Sequence, residues 1–259
     1  MSLSEKEKFQ LYEMQHANGV FEVIIRNLYQ GLLRSGDTAI DGGAHIGLHT
    51  IPLAEAVGIT GSVLAFEPVL RIASHLSVLT ETYSQVTVHC EALSNKITKA
   101  QFFEVTEFPW LSSLSLRSLE ESPNQSTTIV TCLTIDSLSL TSLHFVKLDL
   151  EHHDYQAIYG ARDTIRKFQP IIVFEFGRIE AAKNADYTEA EFFSLFKSLG
   201  YKLVDLFGVT IGSFEFNLPW DSEFISGYAV AVPESKIEMY SEKMEVLCRT
   251  QLADQKMSK

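Results

Sequence analysis

The chain has 259 residues, 46% of them hydrophobic and 21% charged, which provides for a sizeable core and excludes wholesale disorder. Its formal net charge of -12, with no run of Lys or Arg, excludes a nucleic-acid backbone as the main partner, because phosphates are repelled at long range. Cys90, Cys132 and Cys248 are far apart and lack C-x-x-C spacing, which excludes a disulfide framework and a thiolate zinc site. The polar N-terminus and the lack of an apolar run long enough to span a bilayer point to a cytoplasmic protein with no membrane contact.

In chain order, residues 1–36 read as a helical extension broken at Gly36-Asp37. A body of alternating strands and helices follows over 37–233, and a helical tail over 234–259. Thr38 to Ile40 is a short apolar strand ending in Asp41 and a glycine-rich turn. His45 to Ala56 follows as a helix, with Pro52 near its first turn if the helix starts late. Ser62 to Phe66 is the second strand, Ile72 to Tyr83 a helix and Val86 to His89 the third strand. Lys99 to Val105 and Thr127 to Leu133 are further β segments. Phe145 to Leu148 is a strand running into Asp149, and Tyr155 to Phe168 is a helix. Ile171 to Phe176 is a buried strand. Thr188 to Leu199 is an amphipathic helix closed by Gly200. Tyr201 to Phe207 and Gly227 to Val232 are the last strands. The tail carries Ile237, Tyr240, Met244 and Leu247 on one stripe, which docks on the core by default or else pairs two subunits in a homodimer.

This alternation implies an α/β fold with a mostly parallel sheet covered on both faces. Ligands of such sheets bind beyond the carboxyl ends of the strands. Five acidic residues stand at those ends: Asp41, Glu67, Glu91, Asp149 and Glu175. In the turn Asp41-Gly42-Gly43-Ala44-His45-Ile46-Gly47 the glycines allow close backbone approach to a ligand. A carboxylate at its head repels the pyrophosphate of a dinucleotide and suits a cationic, phosphate-free nucleoside. S-adenosylmethionine has that character. Glu67 can accept both ribose hydroxyls, with Pro68 fixing the chain beyond it, or can cap the next helix. Glu91-Ala92-Leu93 lies where an adenine ring would rest.

The ordered series Asp41 to Gly47 with His49-Thr50, Phe66-Glu67-Pro68, Ala92-Leu93-Ser94, Leu133-Thr134-Ile135-Asp136 and Val146 to Glu151 resembles the FkbM-type branch of the class I S-adenosylmethionine-dependent methyltransferases. The resemblance runs from about residue 37 to 205. It implies a Rossmann-like, doubly wound, seven-stranded sheet with its last strand antiparallel, and O-methylation of a hydroxyl on a sugar or other small molecule. It also implies that Asp41, Gly43, Glu67 and Ala92 line the cofactor. The family commonly carries Gly and Glu where this chain has His152 and Asp154.

Methyl transfer from a sulfonium needs alignment of acceptor, methyl and sulfur, and a hydroxyl acceptor gains from losing its proton. Asp149 is the expected acceptor-orienting carboxylate beside the cofactor, with Glu151 or His153 as base. A related reading makes Asp149 and Glu175 ligands of Mg²⁺. Alternatively, Glu175 forms an ion pair with Lys147 or Arg178. Aromatic residues Phe108, Trp110, Phe214, Phe216 and Trp220 form either a lid over the acceptor or ordinary packing. Two other functions compete: a nicotinamide-dependent oxidoreductase, disfavoured by Asp41, and a non-catalytic cofactor-binding module, motivated by His152 and Asp154.

Overall fold

The computed structural model describes residues 4, 7, 20–105, 112–114, 125–219, 222 and 226–257. Its elements are α1 (Val20–Leu32), β1 (Thr38–Gly42), α2 (Thr50–Val57), β2 (Ser62–Phe66), α3 (Leu70–Leu79), β3 (Val86–His89), β4 (Ala92–Leu93), β5 (Thr98–Val105), β6 (Gln125–Leu133), β7 (Phe145–Leu148), α4 (Asp154–Tyr159), α5 (Arg162–Phe168), β8 (Ile171–Glu175), α6 (Arg178–Asn184), α7 (Glu189–Leu199), β9 (Tyr201–Asp205), α8 (Ser213–Phe216), β10 (Tyr228–Pro233) and α9 (Ile237–Met257). The main sheet has seven strands in the order β3-β2-β1-β7-β8-β10-β9. β3, β2, β1, β7 and β8 run parallel, whereas β10 is antiparallel to both neighbours. The expected doubly wound sheet with an antiparallel last strand is therefore present.

The central strands are buried on both faces, as continuous apolar runs require. Alternate residues feed separate cores. Ala39, Phe145, Val173 and Val230 face the layer made by α1, α2 and α9. Ile40, Val146, Phe174 and Ala231 face the layer built from α4 to α7. Tail residues Tyr240, Met244, Cys248 and Leu252 are buried in the first layer, so the stripe docks within the chain. Thr188 and Glu191 close a reciprocal capping box at the start of α7, and Gly200 ends it in the left-handed region at φ 74°. Among the described residues no helix is long and apolar enough to cross a membrane.

Several expected elements differ. The helix after the glycine turn starts at Thr50, not His45, which puts Pro52 in its first turn, where a missing N–H costs nothing. The segments Lys99 to Val105 and Thr127 to Leu133 do not extend the main sheet: β5 and β6 pair with β4 in a separate three-stranded sheet. The expected helix Tyr155 to Phe168 is split into α4 and α5. At the break the Gly160 carbonyl accepts from the Asp136 N–H at 3.0 Å and the Asp136 carboxylate caps the first N–H groups of α5, while close packing leaves no room for a side chain at Gly160, where a Cβ would lie 2.2 Å from the Ser94 carbonyl oxygen. Helix α6 had no distinct periodic signal. Phe108, Trp110 and Trp220 lie outside the described residues, as does most of 1–19. Of the remaining aromatics, Phe216 is fully buried against Phe176 and Phe192, while Phe214 is exposed.

Gly160→Ala should destabilise the fold by roughly 1–3 kcal/mol, because the added methyl meets rigid backbone rather than a movable side chain. Thermal unfolding checks this, and an unchanged melting temperature contradicts the packing argument.

Candidate active site

Gly43, at φ 75°, carries the chain out of β1, and a Cβ there would lie 2.0 Å from the Asp149 carbonyl oxygen. Only glycine allows this approach, which seats the glycine turn against the end of β7. The result is a cavity of about 400 Å³ beyond the carboxyl ends of β3, β2, β1 and β7. This is the size of a small-molecule site and the location expected for a parallel sheet. Asp41, Gly43, Ala44, His45, Glu67, Pro68, Glu91, Ala92, Asp149, Glu151 and His153 all line it. Gly47 does not. Its φ of 87° shapes the turn, and a Cβ there would crowd Leu76 at 2.8 Å, so its part is packing. Phe102, Ser112 and Leu114 from the small sheet and its loop supply a side wall.

At the β2–β3 end, Glu67 is buried, and its two oxygens accept backbone N–H bonds from Val69 at 2.9 Å and His45 at 3.1 Å. It therefore anchors the start of α3 and faces the cavity at the same time. Burial raises its pKa to about 7, and the two N–H bonds offset this only in part. Glu91 stands 3.7 Å from His89, whose ring stacks on Phe66.

At the β1–β7 end, Asp41 is 1% exposed. Its Oδ2 accepts from the Thr50 hydroxyl at 2.6 Å, while its Oδ1 is buried without a partner. A buried carboxylate oxygen without a donor is costly, so this atom fits a ligand that brings one. Lys147 Nζ donates to Asp149 Oδ2 at 3.3 Å, and the Tyr228 hydroxyl donates to the same oxygen at 2.9 Å. Burial depresses Lys147, but Asp149, Asp41 and Glu22 together outweigh it and raise the ammonium's pKa. Glu22 reaches the cavity from α1, bonded to His49 Nε2 and contacted by the Tyr228 hydroxyl at 3.4 Å. Neither Glu22, His49 nor Tyr228 was singled out as a site residue in the sequence. Glu22 and Tyr228 lie at opposite ends of the chain, and no local pattern joins them.

The segment after β7 carries His152 and Asp154. Glu151 and His152 have φ of 53° and 75°, a left-handed pair that costs roughly 1–3 kcal/mol per non-glycine residue. His152 packs into space left by Gly177, where a Cβ would lie 2.7 Å from its ring, and its Nδ1 meets the Asn184 amide at 2.9 Å. Its backbone N–H donates to Glu175 Oε2 at 3.2 Å. Asp154 is buried. Burial, then Glu175 and Asp149, push its carboxyl well above the usual range. Oxygens of Asp149, Glu151 and Glu175 lie within 4.8 Å of one another. Lys147 pairs with Asp149 at 3.3 Å. His153 Nε2 meets the Ser94 hydroxyl at 3.2 Å, and burial lowers its pKa to about 4.

The sheet order with its antiparallel β10, and a cavity across the ends of β3, β2, β1 and β7, define the class I methyltransferase fold. The chain belongs to the methyltransferase FkbM domain family, which matches residues 41–203. No curated protein matches it. Among solved structures it is similar to methyltransferase FkbM from Methylobacillus flagellatus, at 16% identity and TM-score 0.46, covering 78% of this chain and 47% of that one. The chain thus spans about half the length of that relative. It is similar to a putative rRNA-methylase from Clostridium thermocellum, at 14% identity and TM-score 0.48, covering 81% and 94%. It is also similar to Aeropyrum pernix fibrillarin in complex with natively bound S-adenosyl-L-methionine, at 12% identity and TM-score 0.42, covering 80% and 73%.

The raised pKa of Glu67 gives a signed expectation. The folded state holds the proton up to about pH 7, against 4.5 for the unburied carboxyl, so this group's contribution to stability is complete below about 4.5 and is lost as pH rises through 7. Carbon-13 NMR of labelled glutamate carboxyls should show one resonance titrating near pH 7 that disappears in Glu67→Gln. If every glutamate titrates below pH 5.5, the burial argument is wrong.

Proposed function

We propose that this methyltransferase uses S-adenosylmethionine and transfers its methyl group to a hydroxyl oxygen of a small molecule or sugar. The observation that carries the cofactor reading is the unpartnered, buried Asp41 Oδ1 at one end of a carboxylate-lined cavity with Glu67 and Glu91 at the other. Such a wall suits a phosphate-free cationic nucleoside and disfavours a dinucleotide, whose pyrophosphate would meet Asp41. Glu67 accepts the ribose hydroxyls, which a carboxylate with two oxygens can do while keeping its backbone bonds. Glu91, Ala92 and Leu93 border the base, and Gly43, Ala44, His45 and Pro68 complete the wall.

When bound, the cofactor supplies a methyl carbon already activated by a sulfonium. The chain's part is to hold the acceptor in line and take its proton. Asp149, fixed by Lys147 and Tyr228, orients the acceptor hydroxyl through a charge-assisted hydrogen bond. Glu151, on the cavity wall, would take the proton of the acceptor hydroxyl. Burial leaves His153 a weak base, since an imidazole with a pKa near 4 holds a proton poorly at neutral pH. A second reading is favoured by the grouping of Asp149, Glu151 and Glu175 within 4.8 Å. Three hard oxygen ligands suit Mg²⁺, which would acidify the hydroxyl in place of a base.

Calorimetry should show binding of S-adenosylmethionine and none of NAD; the reverse result refutes the cofactor assignment. With an accepted hydroxyl substrate, Asp149→Asn should lower kcat by at least about a hundredfold while cofactor affinity stays within a few fold. Undiminished turnover removes Asp149 from the mechanism. Full activity in excess chelator is expected from the general-base reading, and loss restored by added Mg²⁺ selects the metal reading.

A further inference from the structure

The cavity crosses the ends of four strands in the order β3, β2, β1, β7, three strand spacings or roughly 14 Å. With the base over β3 and the ribose over β2, the amino-acid arm of the nucleoside falls over β1 and β7. Three carboxylates converge there: Asp41, Asp149 and Glu22. Glu22 comes from α1, outside the matched family segment 41–203.

We propose that α1 contributes a ligand-binding residue: Glu22, together with Asp41, receives the α-ammonium group of the cofactor's amino-acid arm. The inference rests on the S-adenosylmethionine reading and extends it to a residue outside the family domain.

Charge balance is the first argument. Lys147 is the buried cation that these three carboxylates surround. An ammonium placed among them gains from the attraction of all three. Hydrogen bonding is the second. Asp41 Oδ1 is a buried acceptor lacking a donor, and an ammonium brings three N–H bonds. Preorganisation is the third. Glu22 Oε2 is held by His49, whose other ring nitrogen meets the Tyr29 hydroxyl at 3.3 Å, and Glu22 Oε1 is met by Tyr228 at 3.4 Å. Each carboxylate oxygen keeps a second lone pair for the ligand. The ionised state this requires is consistent with the lowered pKa of Glu22, where hydrogen bonding and the charge of His49, with Lys147 and Tyr228 adding to them, overcome the penalty of burial. An anionic ligand group at this end would meet the opposite balance.

The test uses calorimetry on the full chain with three probes. S-adenosylhomocysteine carries the whole arm, its deamino analogue lacks only the amino group, and methylthioadenosine lacks the arm. Wild type should bind the first about ten-fold or more tighter than its deamino analogue, the loss of one charge-assisted bond. Glu22→Gln should lose about ten-fold or more for S-adenosylhomocysteine and stay within about two-fold for the other two. Equal loss for all three probes would mean that Glu22 merely props the fold, and loss for none would mean that it does not touch the arm; either overturns the proposal. If Glu22→Gln does not fold, Glu22→Asp retains the charge on a shorter stem, and any loss it shows must again be confined to the probe with the amino group. A wild type that binds none of the three nucleosides refutes the cofactor reading itself, a different result from any of these.

Discussion

A buried Lys147 ammonium makes the rest of the site possible. Carboxylates packed at the ends of parallel strands repel one another and lose hydration, so Asp41, Asp149 and Glu22 can share one small region only around a compensating cation. Lys147 projects from β7 into that region and bonds Asp149 directly. Asp41 Oδ1 still lacks a donor, so a group that brings one can be received there without first breaking an ion pair.

The same region shows how a left-handed backbone accommodates bulky side chains. His152 holds φ 75°, a conformation that favours glycine. The surroundings accept it: Gly177 leaves room for the ring and Asn184 meets its Nδ1. The nearby Asp154 is buried with one oxygen unpartnered. These two residues are fitted into the fold rather than aimed into the main cavity. Glu151 between Asp149 and His152 still reaches the cavity wall.

Elements outside the matched family segment complete the site. Helix α1 carries Glu22 and packs beside α9 in one core layer, and β10 brings Tyr228 to Asp149. Burial of Tyr240, Met244 and Cys248 in that layer ties the tail to the same sheet that holds the cavity. Burial of apolar surface at these chain ends, worth roughly 25 cal/mol per Å², thus helps hold Glu22, which lines the cavity.

Much of this was legible in the chain itself. Short apolar runs alternating with helical periodicity specify a parallel sheet, because only two-sided burial tolerates them. A carboxylate directly after a strand, as at Asp41, Glu67 and Asp149, must face the ligand edge of that sheet. Turn glycines such as Gly43 report a close backbone approach. What only the tertiary structure decided is whatever depends on groups distant in sequence: the capping of α5 by Asp136 at the break from α4, the separation of β4, β5 and β6 into a second sheet, the pairing of Lys147 with Asp149 at the cavity, and the meeting of Tyr228 with both Glu22 and Asp149. Local spacing encodes backbone periodicity and the face a side chain takes. Which charges neutralise one another is a property of three-dimensional distance, and it exists only once the chain has folded.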